Sequence, residues 1–185
     1  MIDIYPSDVI IVVYEGNSEK YILELLLEQE AFIFESWQLL DGQLFKRSNS
    51  QHREALESQY FPMDFGNSRL VLFLIQDDDA TMKIDDVFLD KITGPIFIVT
   101  KPEIEMLMIH SLDCYEDFHK ARVQNHQLKP SQFVAGKMNI STSRVKSKEF
   151  IQAFYEEHSL VDSILSHSGK ANHERGKYLL ADIIK

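Results

Sequence analysis

Three adjacent aspartates, Asp77, Asp78 and Asp79, follow the apolar segment LVLFLI at residues 70–75, with only Gln76 between them. Carboxylates that repel one another at the end of a buried strand destabilise a fold unless a cation or hydrogen-bond donors compensate. Alternation along an extended chain points Asp77 and Asp79 to the same side and Asp78 to the other. The triplet therefore predicts a cation site built from Asp77 and Asp79, with Asp78 as a turn or capping residue.

Further carboxylates follow two other apolar segments. Glu15 comes directly after DVIIVVY at residues 8–14, and Glu103 and Glu105 come shortly after GPIFIVT at residues 94–100. The carboxyl ends of parallel strands meet at one edge of a sheet, where functional groups gather in open α/β folds. Mg²⁺ prefers hard oxygen ligands and takes one or two carboxylates together with water and substrate phosphate. The spacing predicts a Mg²⁺ or Mn²⁺ site formed by Glu15, Asp77 and Asp79, with Glu103 and Glu105 nearby.

The elements that would position these residues follow from the hydrophobic pattern. Alternating strands and helices predict an α/β fold with a mostly parallel sheet of about four strands flanked by helices, followed by a helical C-terminal extension. The predicted strands are residues 8–14, 31–40, 69–76 and 94–100. The predicted helices are residues 17–30, a short one within 51–58, one that carries Ile84, Val87, Phe88 and Ile92, and one opened by Pro102.

The remaining third of the chain lacks a long β-branched segment. FIQAFYEEH, SLVDSILSH and GKYLLADII are typical of helices, and residues 129–147 are expected to form a loop-rich connector. The predicted organisation is an α/β core at residues 1–113 and a helical extension at 114–185 that packs on the core, or one single domain. A length of 185 residues suits either division.

The charge distribution is uneven. The chain has a formal net charge of -10, but residues 1–117 hold 8 Lys/Arg and 23 Asp/Glu, whereas residues 118–185 hold 11 and 6. A basic segment suits contact with a phosphate backbone, and the Ser/Thr-rich stretch that follows residue 136 contains four cations. The candidate nucleic-acid-binding residues, for DNA or RNA, are Lys137, Arg144, Lys146 and Lys148.

Composition excludes several classes of protein. Cys114 is the only cysteine, so an internal disulfide framework and a CxxC metal site are both excluded. The apolar segments are too short to cross a bilayer, and the N-terminus does not have the pattern of an export signal. A protein without membrane contact in a reducing, cytoplasmic setting is expected.

The acidic motifs resemble a known family. Glu15-Gly16 after the first strand, and Asp77-x-Asp79 after a later one, resemble the TOPRIM domain of topoisomerases, primases and OLD-type nucleases. Pro102-Glu103-x-Glu105 is similar to the stand-alone, RloB-like branch. The resemblance implies a magnesium-dependent nuclease, a hydrolase of phosphodiester bonds, in which Glu15, Asp77 and Asp79 are catalytic and bind the metal. It also implies a role in phage or mobile-element defence.

Two other functions remain open. A non-catalytic TOPRIM-like interaction module that partners an ATPase would have the same acidic motifs. Asp77-x-Asp79-x-Thr81 also resembles the signature of haloacid-dehalogenase-like phosphatases, with Thr100 and Lys101 as further candidates. That family needs a later strand that ends in an acidic pair, and the sequence after residue 114 is predicted to be helical.

Overall fold

A parallel β-sheet forms the centre of the protein. The structure, a computed structural model, describes residues 2–77, 84–171 and 176–185. The five strands pair in the order β2-β1-β3-β4-β5, and every pairing is parallel. Their bounds are β1 Val9–Tyr14, β2 Phe45–Lys46, β3 Leu70–Gln76, β4 Ile92–Val99 and β5 Tyr178–Leu179. The predicted α/β fold with a parallel sheet is confirmed.

The two central strands are buried on both faces. β1 and β3 pair along their length, from Val9 opposite Leu70 to Tyr14 opposite Ile75. Because side chains alternate along a strand, Ile10 and Phe73 join the larger hydrophobic cluster on one face. Ile11 belongs to a smaller cluster on the other face. Burial on both faces explains why these strands are continuous aliphatic segments.

Eight α-helices accompany the sheet within the described residues. Their bounds are α1 Asn17–Glu28, α2 Ser50–Ala55, α3 Met106–Ser111, α4 Tyr115–Gln124, α5 Pro130–Met138, α6 Thr142–Val145, α7 Lys148–Glu157 and α8 Leu160–Ser168. Helices α1, α3, α7 and α8 contribute to the larger hydrophobic cluster. The helical C-terminal region and the short helix after residue 50 are confirmed. No helix among the described residues has the length and apolar character needed to cross a membrane.

The predicted strand at residues 31–40 is wrong. This segment makes isolated bridges at Phe32 and Leu39 and then short 3-10 turns, and the edge strand of the sheet is β2 instead. The amide of Gln38 donates to the backbone carbonyls of Tyr5 and Asp8, at 2.8 and 3.1 Å. The Gln38 side chain therefore satisfies backbone carbonyls of the segment that leads into β1.

Three further segments differ from the prediction. Residues 86–88 form only a 3-10 turn, and Ile92 already begins β4. The helix expected at Pro102 begins at Met106, because i to i+3 hydrogen bonds at residues 103–106 form turns first. The expected connector at 129–147 contains α5 and α6, with Pro130 at the first turn of α5 and Ser141 capping α6.

The C-terminal segment joins the sheet. GKYLLADII was expected to be a helix, but Tyr178 and Leu179 pair with Ile98 and Val99 as β5, and a 3-10 helix Leu180–Ile183 follows. The segment around Phe32 bridges Ile184 at the same end of the chain. Long-range pairing therefore outweighed the local helical pattern. Residues from both predicted units share the larger hydrophobic cluster.

Candidate functional site

The strand order creates a crevice between β1 and β3. The chain leaves β1 toward β2 on one side and returns to β3 on the other side. In open α/β sheets, ligands bind at such a reversal, beyond the carboxyl ends of the strands. Glu15 follows β1 directly and Asp77 follows β3 directly. The topology therefore places both predicted carboxylates at the position where this class of fold binds ligands.

An open hollow of about 450 Å³ lies at this edge, and we call it the acidic hollow. Its lining brings together four of the five predicted acidic residues and adds two lysines. The lining residues are Glu15, Gly16, Asn17, Ser18, Glu19, Lys46, Asp77, Glu103, Glu105 and Lys146. Asp78 and the fifth predicted acid, Asp79, lie outside the described residues.

Glu103 and Glu105 are buried and already hydrogen-bonded. Ser18 Oγ, at the start of α1, donates to Glu105 Oε1 at 2.7 Å. Ser131, at the start of α5, donates its hydroxyl and its backbone N–H to Glu103 Oε2 at 2.8 and 3.2 Å. These bonds fix the segment after β4 against two helix N-termini, so the orientation of both carboxylates is set by tertiary contacts.

Lys146 lies between the two glutamates. Its Nζ is 3.2 Å from Glu103 Oε1 and 3.7 Å from Glu105 Oε1. Burial alone would lower the pKa of Lys146, but the two carboxylates outweigh it and raise that pKa. Burial likewise favours a higher pKa for Glu103, yet donors from Ser131 and the charge of Lys146 lower it overall. Burial raises the pKa of Glu105.

Glu19 was not predicted as a site residue, although it is the most perturbed carboxylate of the hollow. It lies in the first turn of α1 and is only 7% exposed. Burial raises the pKa of Glu19 to about 7, and the charges of Glu105 and Asp77 add to the effect. The sequence contained a signal, because Glu19 shares a helix face with the buried Ile22, Leu23 and Leu26. An acid on a buried helix face needs a partner or a function.

Glu15 and Asp77 are half-buried at the mouth of the hollow. Glu15 Oε2 is 3.7 Å from Arg47 Nη1, and the same nitrogen donates to Gln76 Oε1 at 3.2 Å. Arg47 follows β2 and contacts both Glu15, which follows β1, and Gln76, which ends β3. Among the described residues, no cation lies within ion-pair distance of Asp77.

The four predicted nucleic-acid-binding cations do not form one group. Lys137 pairs with Asp117 at 3.0 Å and Lys148 with Glu24 at 3.2 Å. Arg144 is exposed in α6, and only Lys146 lines the acidic hollow. They lie on helices α5, α6 and α7 or directly beside them, because the expected connector is helical.

The carboxylates of the acidic hollow provide some, but not all, of the ligands that a hard divalent cation needs. No group of three or more His, Cys, Asp or Glu side chains within metal-binding distance occurs among residues 2–77, 84–171 and 176–185. Mg²⁺ needs only one or two carboxylates when water and phosphate complete its shell. Within residues 2–77, 84–171 and 176–185, Asp77 has no ion-pair partner, and Glu19 is a buried carboxylate that accepts no hydrogen bond from another side chain. Both therefore suit such a site better than Glu103 and Glu105.

The phosphatase alternative finds little support in the fold. The next strand after Lys101 in the sequence is β5, which pairs with β4. It is followed by Leu180 and Ala181 and not by an acidic pair. Thr100 is buried at the end of β4, where its N–H donates to Gln76 O at 3.0 Å.

Comparisons of the chain with protein-family models, with curated proteins and with solved structures found no match. The roles of the residues in the acidic hollow are therefore inferred from their own geometry and chemistry.

Proposed function

We propose that this protein is a Mg²⁺- or Mn²⁺-dependent nuclease, or the nuclease subunit of a larger assembly. One observation carries the proposal: Glu15, Asp77 and the buried Glu19 converge in one open hollow at the reversal of strand order. One or two carboxylates in an open hollow can hold a divalent ion whose other ligands are water and substrate phosphate, and such an ion can activate a phosphoryl group. The resemblance of Glu15-Gly16 and Asp77-x-Asp79 to TOPRIM nucleases points to the same chemistry.

In this proposal Asp77 and Glu19 hold the metal, with Glu15 at the mouth of the hollow and Asp79 as a further ligand. A bound divalent ion would polarise the scissile phosphate and lower the pKa of a bound water. Burial raises the pKa of Glu19 to about 7 in the free protein, so Glu19 would have to release its proton to hold the metal, and metal binding would strengthen as the pH rises through that value. Lys46, whose Nζ donates to Asn17 Oδ1 at 2.9 Å, is placed to contact a phosphate oxygen at the rim.

A non-catalytic module is favoured by one feature of the site. Lys146 neutralises part of the negative charge of Glu103 and Glu105 without a metal. Such an internal cation reduces the repulsion between the carboxylates, so the acidic hollow is stable without a bound metal ion. In that case the fold would serve an ATPase partner, as the resemblance to defence proteins also suggests.

The test is incubation of the pure chain with single- and double-stranded DNA and RNA in Mg²⁺, Mn²⁺ or chelator. The proposal expects cleavage only with metal, and loss of both cleavage and Mn²⁺ binding in Asp77→Asn. Asp90→Asn is the matched control, since Asp90 is exposed just before the amino-terminal end of β4, away from the carboxyl ends of the strands that form the acidic hollow. Metal-independent cleavage, or full activity of Asp77→Asn, would overturn the proposal. Metal binding without cleavage would favour the non-catalytic module.

A further inference from the structure

A second cavity, of about 550 Å³, adjoins the acidic hollow, and we call it the basic cavity. It lies between the carboxyl ends of β4 and β5 and the helices α4 and α8, which contribute Val99, Leu179, Phe118 and His167. Asp77 lines both spaces. A molecule bound in the basic cavity would therefore extend directly to the carboxylate proposed to hold the metal.

The interior of the basic cavity is apolar and aromatic. Phe118 and Leu179 are buried and belong to its lining, and Tyr178 lines it from β5. The ring of Tyr178 is half-buried and makes no ring stacking contact with another described side chain. Tyr178 packs against the larger hydrophobic cluster, and the exposed part of its ring could stack with a flat, apolar ligand.

Cations surround this apolar interior. Among the residues that the structure describes, the lining contains four Lys or Arg side chains and one carboxylate, that of Asp77. The four cations are Lys101, Arg122, Lys170 and Lys177. Arg122, in the last turn of α4, is exposed and lies within ion-pair distance of no described carboxylate. Lys170 is 3.2 Å from Glu116 and lies over the ring of Tyr115 at 4.3 Å.

We propose that the basic cavity binds one unpaired nucleotide, with the base stacked on Tyr178 and a phosphate held by Arg122. An aromatic surface ringed by cations matches a ligand that has both a flat ring and a negative charge. A volume of this size suits a single small ligand, and a base inside a duplex could not enter it. The inference rests on the proposed nuclease function, because it places the adjoining phosphodiester at Asp77. The nucleotide can be free or part of a single strand.

The test measures binding in chelator, so that it does not depend on metal or cleavage. The probes are a fluorescein-labelled oligothymidylate of about ten nucleotides, the same sequence as a blunt duplex, and AMP. Tyr178→Leu should weaken binding of the single strand about tenfold, whereas Tyr178→Phe retains the ring and should bind normally. Arg122→Gln should flatten the log-log salt dependence by roughly 0.7. Lys120→Gln removes the same charge from the same helix but does not line the cavity, and should have no effect.

The outcomes separate the two proposals. Comparable binding of AMP and the oligonucleotide identifies a free nucleotide as the ligand, and binding of the oligonucleotide alone identifies a strand. If both Tyr178→Leu and Arg122→Gln bind with wild-type affinity and salt dependence, the inference is overturned. Equal affinity for the duplex would also overturn it.

Binding that requires the Tyr178 ring, without any metal-dependent cleavage, would contradict the nuclease function alone. Cleavage that requires Asp77 but is unaffected by Tyr178→Leu and Arg122→Gln would contradict the basic cavity alone.

Discussion

Gly16 lies so close to the carboxylate of Glu19 that a Cβ atom at position 16 would be 2.5 Å from Glu19 Oε2. The backbone of Gly16 is extended, with φ -106° and ψ 171°, so its conformation does not require glycine. The small residue after Glu15 is needed because a side chain would occupy the space of the Glu19 carboxylate.

Gly16→Ala is expected to leave the fold intact and to weaken Mn²⁺ binding. The added methyl meets the end of a flexible side chain, so Glu19 turns away and the backbone stays in place. Gly136→Ala is the control, because Gly136 is in α5 with open space around it and alanine favours a helix. Calorimetric titration with Mn²⁺ measures the effect, and an unchanged affinity in Gly16→Ala would refute it.

Glu19→Gln should make the protein more stable above pH 7. The folded pKa of Glu19 is raised from 4.5 to about 7, mainly by burial, so the folded state retains a proton that the unfolded state releases. Wild-type stability therefore falls as the pH rises from about 4.5 to 7, and glutamine removes this loss. The gain should be roughly 3 kcal/mol at pH 8 and vanish near pH 4.5.

Urea unfolding at pH 5, 6, 7 and 8 measures this difference. Glu149→Gln, at an exposed carboxylate in the first turn of α7, is the control for the change in net charge. A stability difference between wild type and Glu19→Gln that does not depend on pH would show that Glu19 does not titrate in this range.

Lys146→Gln should destabilise the protein and strengthen metal binding. Without the ammonium, the buried Glu105 loses its nearest cation and Glu103 retains only the exposed Lys129, whose Nζ is 3.7 Å from Glu103 Oε1, so we expect a cost of roughly 1–3 kcal/mol. A more negative hollow attracts a divalent ion more strongly. Arg144→Gln removes an equal charge two residues away on the exposed side and should change neither property. Equal behaviour of the two variants in thermal unfolding and Mn²⁺ titration would contradict the prediction.

Arg69→Gln tests an ion pair far from the hollow. Arg69 donates to both carboxylate oxygens of Asp8, at 2.9 and 2.6 Å, and Asp8 is only 2% exposed. The hydrogen bond from Arg69 lowers the pKa of Asp8, so the pair stabilises the fold above about pH 4 and is lost as the pH falls through the lowered value. We expect a loss of roughly 2–4 kcal/mol in urea unfolding at pH 7.

The control is Arg53→Gln, which breaks the exposed pair with Glu57 and should cost less than about 1 kcal/mol. If the two variants unfold at the same urea concentration, the buried pair does not contribute as the geometry indicates.

The sequence by itself determined the strands β1, β3 and β4 and the acids that follow them. The continuous aliphatic segments of β1 and β3 are typical of strands buried on both faces, whereas β4 is buried mainly at its two ends. Alternation of strand and helix implies parallel pairing, which gathers Glu15, Asp77, Glu103 and Glu105 at the carboxyl ends of the strands. Helix α1 and the helical C-terminal region were likewise predictable, because their hydrophobic patterns are local and periodic.

Only the tertiary structure decided the strand order, the strand character of Tyr178 and Leu179, and the contents of the acidic hollow. Lys146 and Glu105 are distant in sequence and meet because α6 and the segment after β4 pack together, which no local pattern specifies. The basic cavity exists because β5 joins the sheet beside β4 and brings Tyr178 near Arg122. Local propensity depends on neighbours along the chain, whereas strand pairing and burial depend on residues far apart in sequence, so these features arise only when the whole chain folds.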